Sequence, residues 1–304
     1  MGMFPERGEE RQERTSLKGG WDMKLAFITD EATQNFSEAV ELAKDCGLQG
    51  LELRSVNDMP IDGIAPELLR EWKRRLDGEG LSVCNLASTF YKCGLGEGLQ
   101  EELGKLSRLC DAADILGCET IRGFAFFAPM GRKVLAEELA SFFHDPERLL
   151  RERGKRLLLE ADPGVNTTNH HGLAELLGML DKEVFGAIYD PGNDVFDPLG
   201  ERPFPEGYAA IRPYLGHVHI KDAVLSEGVP LCVKPGTGLV DYKGILDALD
   251  QDGYDGWLSL EPHYRKDVIL TQGQMRIPQG SDFSRGGREA LRESAVALKA
   301  MLGS

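Results

Sequence analysis

From Lys24 onward, short apolar runs alternate with stretches in which apolar residues recur at helical spacing. That alternation is the mark of α/β architecture. The runs at 24–29, 50–54, 81–87, 119–125, Arg156–Glu160, 184–190, 216–221 and 257–261 predict eight strands. Between them the pattern predicts helices over 36–46, Pro66–Glu79, 98–116, 132–153, 172–180 and Tyr242–Gln251, a short one within 208–214, and a closing helix over 283–302. Gly47, Gly80 and Gly117 follow the first three helices, where a left-handed cap favours glycine. Eight strand–helix pairs in 304 residues fit one parallel (β/α)8 TIM barrel better than an open doubly wound sheet. Residues 1–22 lack periodicity and read as a loose extension ahead of Met23, leaving 23–304 as a single barrel domain.

The segment 215–222, LGHVHIKD, organises the rest. Alternate strand residues face opposite ways, so Val218 and Ile220 share one face while His217, His219 and Lys221 share the other. A polar face turned inward suits the end of a barrel strand that opens into a site. Three other runs close on a carboxylate: LLLE at Glu160, AIYD at Asp190 and WLSLE at Glu261. One of these alone is as readily a helix cap or an ion pair; four at successive strand ends predict a metal site. Three oxygens and one imidazole suit a single divalent cation, Mn²⁺ first, with Mg²⁺, Co²⁺ and Zn²⁺ also admitted.

The remaining candidates each carry a plainer alternative. His217 lies two residues deeper than His219 and reads as a satisfied core histidine. Asn193 in YDPGN either touches substrate or serves a turn. Glu52 and Arg54 either line the pocket floor or pair with each other. Lys221 is a donor to a substrate oxygen or a neutraliser of Asp222, and Lys234 in VKPGTG is a closing-loop or solvated residue. His263 is a substrate contact or a surface residue, and His170 and His171 read as solvated. Phe124, Phe126 and Phe127 form either an apolar wall for a sugar ring or a core cluster.

Charge narrows the partners. Fifty acidic against 35 basic residues give a net charge of -15, a poor match to nucleic acid or an anionic membrane surface. The six cysteines form no CxxC pair, so buried reduced thiols are expected. No apolar run approaches ~20 residues, and the first twenty lack a signal-peptide core, so the expected location is the cytoplasm. Neither a GxGxxG turn after the first strand nor a P-loop is present.

At HVHIKD, taken with LEAD, YDPGN and SLEPH, the chain resembles the sugar phosphate isomerase/epimerase family. This is the xylose isomerase-like barrel group that also includes ketose 3-epimerases, inosose dehydratases and apurinic-site endonucleases. The resemblance runs from Met23 to the closing FSRGGREALRESAVALKAML. It implies that Glu160, Asp190, His219 and Glu261 ligate the metal and that Glu160 and Glu261 are the acid/base pair. A divalent ion that chelates a carbonyl and its neighbouring hydroxyl stabilises an enediolate, and one carboxylate takes the proton that the other returns. The substrate implied is a small sugar or sugar derivative, with isomerisation or epimerisation first. Metal-dependent dehydration of a cyclitol or keto-sugar comes second, and a non-catalytic carbohydrate-binding barrel third. Two departures matter. Asn193 stands where sugar epimerases often carry His. Strands two to four offer Glu52, Asn85 and Arg122 rather than the extra histidines of a multi-metal nuclease, which argues against DNA repair. Barrels of this group often pair, which admits a homodimer while the sequence leaves the oligomeric state open.

Overall fold

The computed structural model describes residues 22–268, 270–276, 278 and 280–303, so the extension read over 1–22 lies outside the described residues except for Asp22. Eight parallel strands close into a barrel in sequence order: β1 (Lys24–Ile28), β2 (Gly50–Leu53), β3 (Ser82–Phe90), β4 (Thr120–Gly123), β5 (Arg156–Glu160), β6 (Phe185–Tyr189), β7 (Leu215–Ile220) and β8 (Trp257–Leu260). β1 closes the ring against β8, pairing Phe27 with Leu260. Closure leaves no strand edge and gathers all eight C-terminal ends into one mouth.

The helices that pack on the outside are α1 (Phe36–Asp45), α2 (Pro66–Glu79), α3 (Leu99–Leu116), α4 (Ala136–Ser141), α5 (His144–Arg153), α6 (His170–Leu177), α7 (Pro191–Val195), α8 (Tyr208–Ile211), α9 (Tyr242–Gln251) and α10 (Gly287–Met301). Outward strand residues such as Leu157, Leu159, Val218 and Ile220 are fully buried within one continuous apolar core. At the barrel floor Leu158 occupies the space left by Gly186 and Gly216, where an added Cβ would come within 2.9 and 2.7 Å of it.

Several boundaries differ from the expected pattern for local reasons. The helix expected over 132–153 is two helices, broken at Phe142 and Phe143. Pro146 cannot donate to a continuous helix but is tolerated in the first turn of the second one. α6 begins at His170 rather than 172, because the Asn169 side chain caps it by accepting from Gly172 N. The closing helix starts at Gly287, after the left-handed Gly286. An antiparallel hairpin, Asp222–Ser226 with Val229–Val233, follows β7. Among the described residues, no helix is long and apolar enough to cross a membrane.

Candidate metal centre

Glu160 ends β5, Asp190 follows β6, His219 lies near the end of β7 and Glu261 follows β8. The barrel brings these four together, with one donor atom from each lying within 4.8 Å of the others. Each carboxylate divides its labour. Glu160 Oε2 accepts from Arg122 Nη1 at 3.1 Å, and its Oε1 lies 3.2 Å from His219 Nδ1. Glu261 Oε1 accepts from Arg54 Nη1 at 3.0 Å, and its Oε2 lies 3.5 Å from the same His219 nitrogen. Asp190 Oδ1 caps α7 by accepting from the Gly192 and Asn193 amides, while Oδ2 stands 4.0 Å from His219 Nδ1. Three tethered carboxylates therefore each turn one oxygen toward a common centre. A Cβ on Gly192 would meet Lys221 O at 2.6 Å, so glycine lets α7 seat Asp190 against the end of β7.

Behind His219, Glu52 lies within 3.3 Å of Nε2 and also accepts from Asn85 Nδ2 at 2.8 Å. His217 Nε2 sits 3.0 Å from Glu52 and 2.9 Å from Ser259 Oγ, the buried supporting place expected for it. A carboxylate behind an imidazole fixes ring orientation and tautomer, leaving Nδ1 for the centre. Burial would push the His219 imidazole down, but Glu52 and Glu160 outweigh it and hold the ring well above its ordinary range. Metal ligation would displace the Nδ1 proton.

The electrostatics separate the carboxylates. Burial alone would raise Glu160, yet Arg122 and His219 hold it at about 2. Glu261 is likewise lowered against burial by Lys221 and His263. Asp190 moves the other way, up to about 7, because burial and the charges of Glu261 and Glu160 exceed the help from Lys221. Lys221 Nζ lies 2.6 Å from Asp190 Oδ2 as an ion pair without hydrogen-bond geometry, so that buried oxygen accepts no hydrogen bond. A hard-donor set with an unsatisfied inward oxygen fits a divalent cation.

The other predicted residues fall variously. Asn193 is buried and donates to Glu160 Oε1 at 3.2 Å and to Ala161 O at 2.9 Å, so it reaches the centre. Lys221 is at the centre too, but it does not neutralise Asp222, whose carboxylate instead accepts from the Gly236, Gly238 and Val240 amides. Glu52 and Arg54 do not pair with each other: Arg54 binds Asp30, Glu31 and Glu261. His263 is buried rather than superficial, 3.1 Å from Glu31 and 4.0 Å from Glu261. Lys234 is not brought to the centre; among the described residues its carbonyl accepts from Thr237 and its side chain forms no hydrogen bond or ion pair. His170 is fully buried against Asp194, contrary to the solvated reading, whereas His171 is exposed. Phe124 lies beneath Lys92 and Arg122, and Phe126 stacks on Tyr91. The six cysteines are free, five of them buried.

Arg122, Asp30 and Glu31 were not among the expected site residues. Asp30 and Glu31 follow β1 in the way Glu261 follows β8, so a carboxylate closing an apolar run was there to be read.

The comparisons with known proteins agree with this architecture. A family model described as the xylose isomerase-like TIM barrel matches residues 40–294. An inosose dehydratase from Klebsiella pneumoniae (strain 342) is 26% identical over 250 residues, covering 73% of this chain and 80% of the relative. Among solved structures, the IolI protein with a binding zinc atom superposes with a TM-score of 0.70 at 16% identity, covering 92% of this chain and 98% of the other. A D-allulose 3-epimerase from Methylomonas sp. gives 0.69 at 13% identity, covering 94% and 100%. With a closed eight-stranded barrel and a family match over most of its length, the chain belongs to the xylose isomerase-like TIM barrel family.

Proposed function

We propose that the chain is a divalent-metal-dependent enzyme that removes the proton next to the carbonyl of a polyhydroxylated ketone and expels water from the adjacent carbon. The observation that carries this reading is the convergence of Glu160 Oε1, Asp190 Oδ2 and Glu261 Oε2 on His219 Nδ1, each carboxylate being tethered through its other oxygen. These four residues would hold the cation, Mn²⁺ first by donor chemistry. When bound, the cation draws charge from a carbonyl and its neighbouring hydroxyl, a contribution of several kcal/mol.

The chain's own groups supply the rest. Glu160 and Glu261 are held ionised, so either can accept the proton. Lys221, kept charged by Asp190 and Glu261, donates to a substrate oxygen, and Asn193 steadies Glu160. In the elimination the C–H electron pair becomes the new C=C bond, the C–O bond on the next carbon breaks, and the departing hydroxyl leaves as water with a returned proton. Arg54 and Arg122 are committed to carboxylates, which suits an uncharged polyol better than a phosphate ester. The family resemblance puts isomerisation or epimerisation first, but the name of the Klebsiella relative favours dehydration of a keto-cyclitol. Epimerisation is the second reading, favoured by two glutamates on separate strands facing one nitrogen, and by the epimerase among the structural neighbours.

The test is incubation of the Mn²⁺-loaded protein with inososes and a ketohexose panel in D₂O. Loss of one water supports dehydration. Deuterium entering next to the carbonyl without loss of water moves the assignment to epimerisation. Metal bound at the quartet with neither outcome would contradict the substrate class.

A further inference from the structure

Away from the quartet lies a second buried group of metal-binding side chains. His170 opens α6, Asp194 lies on α7 one turn beyond Asp190, and Glu201 follows in the segment leading to Pro203. His170 Nδ1 is 2.5 Å from Asp194 Oδ2, and one donor atom from each of the three lies within 4.8 Å of the other two. His170 and Asp194 are 0% and 1% exposed, and the Glu201 side chain 5%.

We infer that His170, Asp194 and Glu201 form a second divalent-cation site, distinct from the quartet. Several independent observations converge on it. Asp194 Oδ1 is buried without a hydrogen-bond partner, as are His170 Nε2 and the neighbouring Asp197 Oδ1. No Lys or Arg pairs with Asp194, Asp197 or Glu201 among the described residues; the basic partners are His170 and His171 alone. Buried carboxylates without a fixed cation are costly, and a divalent ion removes that cost. The backbone also makes room for convergence. A Cβ at Gly207 would stand 2.9 Å from Asp194 Oδ2 and 3.5 Å from Glu201 Oε1, so these oxygens approach each other over a position without a side chain.

The chemistry specifies the class of ion. Donors about 2.0–2.2 Å from a first-row divalent metal lie roughly 3–4 Å from one another, so His170 Nδ1 and Asp194 Oδ2, 2.5 Å apart here, would open slightly around the ion. One imidazole with two carboxylates suits Zn²⁺, Co²⁺ or Mn²⁺, with water completing the shell. Binding must release the proton that His170 now shares with Asp194. Its mechanical consequence follows from the topology. The ion would tie the start of α6 to α7, the helix whose first turn carries Asp190 and Asn193. The inference stands on residues outside the proposed reaction and does not depend on the substrate.

The test is equilibrium dialysis of the metal-free full chain against Zn²⁺, and separately Mn²⁺, with metal counted by mass spectrometry. The wild type should bind about two ions per chain, and His219→Ala and His170→Gln about one each. Because His170 is buried, Glu201→Gln serves as the milder variant; it should weaken one of the two sites about tenfold or more, while His171→Ala keeps both. In the His219→Ala background, Zn²⁺ should still raise the thermal midpoint, and Glu201→Gln should remove that rise. A single ion in the wild type that His219→Ala abolishes, with Glu201→Gln without effect, would overturn the inference and leave His170 and Asp194 as an ion pair only. Two ions that both survive Glu201→Gln would overturn it as well.

Discussion

Within the quartet each glutamate has its own fixed cation: Arg122 on Glu160, and Arg54 with Lys221 on Glu261. One turn further on, Asp194 on α7 and Glu201 beyond it have only histidines as basic partners among the described residues. The two clusters sit in comparable burial, yet their charges are compensated differently. The permanent charges of Arg122 beside Glu160 and of Lys221 beside Glu261 hold both glutamates ionised against burial, as the proposed base requires. The second cluster has no such permanent partner, and burial pushes Asp194 up against the pull of His170. Fixed cations preserve a reactive carboxylate; their absence leaves a place for a removable one.

Substitutions separate these roles. The largest effect is expected for Glu261→Gln, which keeps shape but removes the base. Turnover in the D₂O assay should fall by about 10²–10⁴-fold. Next is Arg122→Met, which leaves Glu160 buried without its cation and should cost about 3–5 kcal/mol in denaturant unfolding. The same variant tests the sign of the pH dependence. Glu160 is lowered from 4.5 to about 2, so its contribution to stability is present above 4.5 and is lost as pH falls toward 2. Arg122→Met should therefore flatten the acid limb between about pH 4.5 and 2, because Glu160 is no longer held below its ordinary value; an unchanged acid limb would show that Arg122 does not hold Glu160 down. Gly192→Ala comes third. Its methyl would press on Lys221 O at 2.6 Å and should cost about 1–3 kcal/mol while weakening metal binding through Asp190. Asn193→Ala should be smallest, reducing kcat by about tenfold or less with the metal retained, as expected for a residue that steadies another.

Much of the quartet was legible because β structure has a period of two and barrel sites gather at strand ends. Carboxylates closing LLLE, AIYD and WLSLE were visible as a pattern before any pairing was known. The cations were not, because they are partners by closure rather than by sequence. Arg54 reaches Glu261 only because β1 and β2 complete the ring beside β8. Lys221 illustrates the same limit. Its neighbour in sequence, Asp222, points the opposite way into the loop after the hairpin, and its real partners come from β8 and α7. His170 looked solvated in a TNHH loop, since the Asp194 that buries it arrives 24 residues later on another element.

In the proposed reaction, four strand ends assemble one cation-holding acid–base centre. It is tested most directly by anomalous diffraction at the manganese edge from crystals of the Mn²⁺-loaded protein. A peak bounded by Glu160, Asp190, His219 and Glu261 is expected, absent in His219→Ala. A fully loaded crystal with no peak inside that quartet would contradict it.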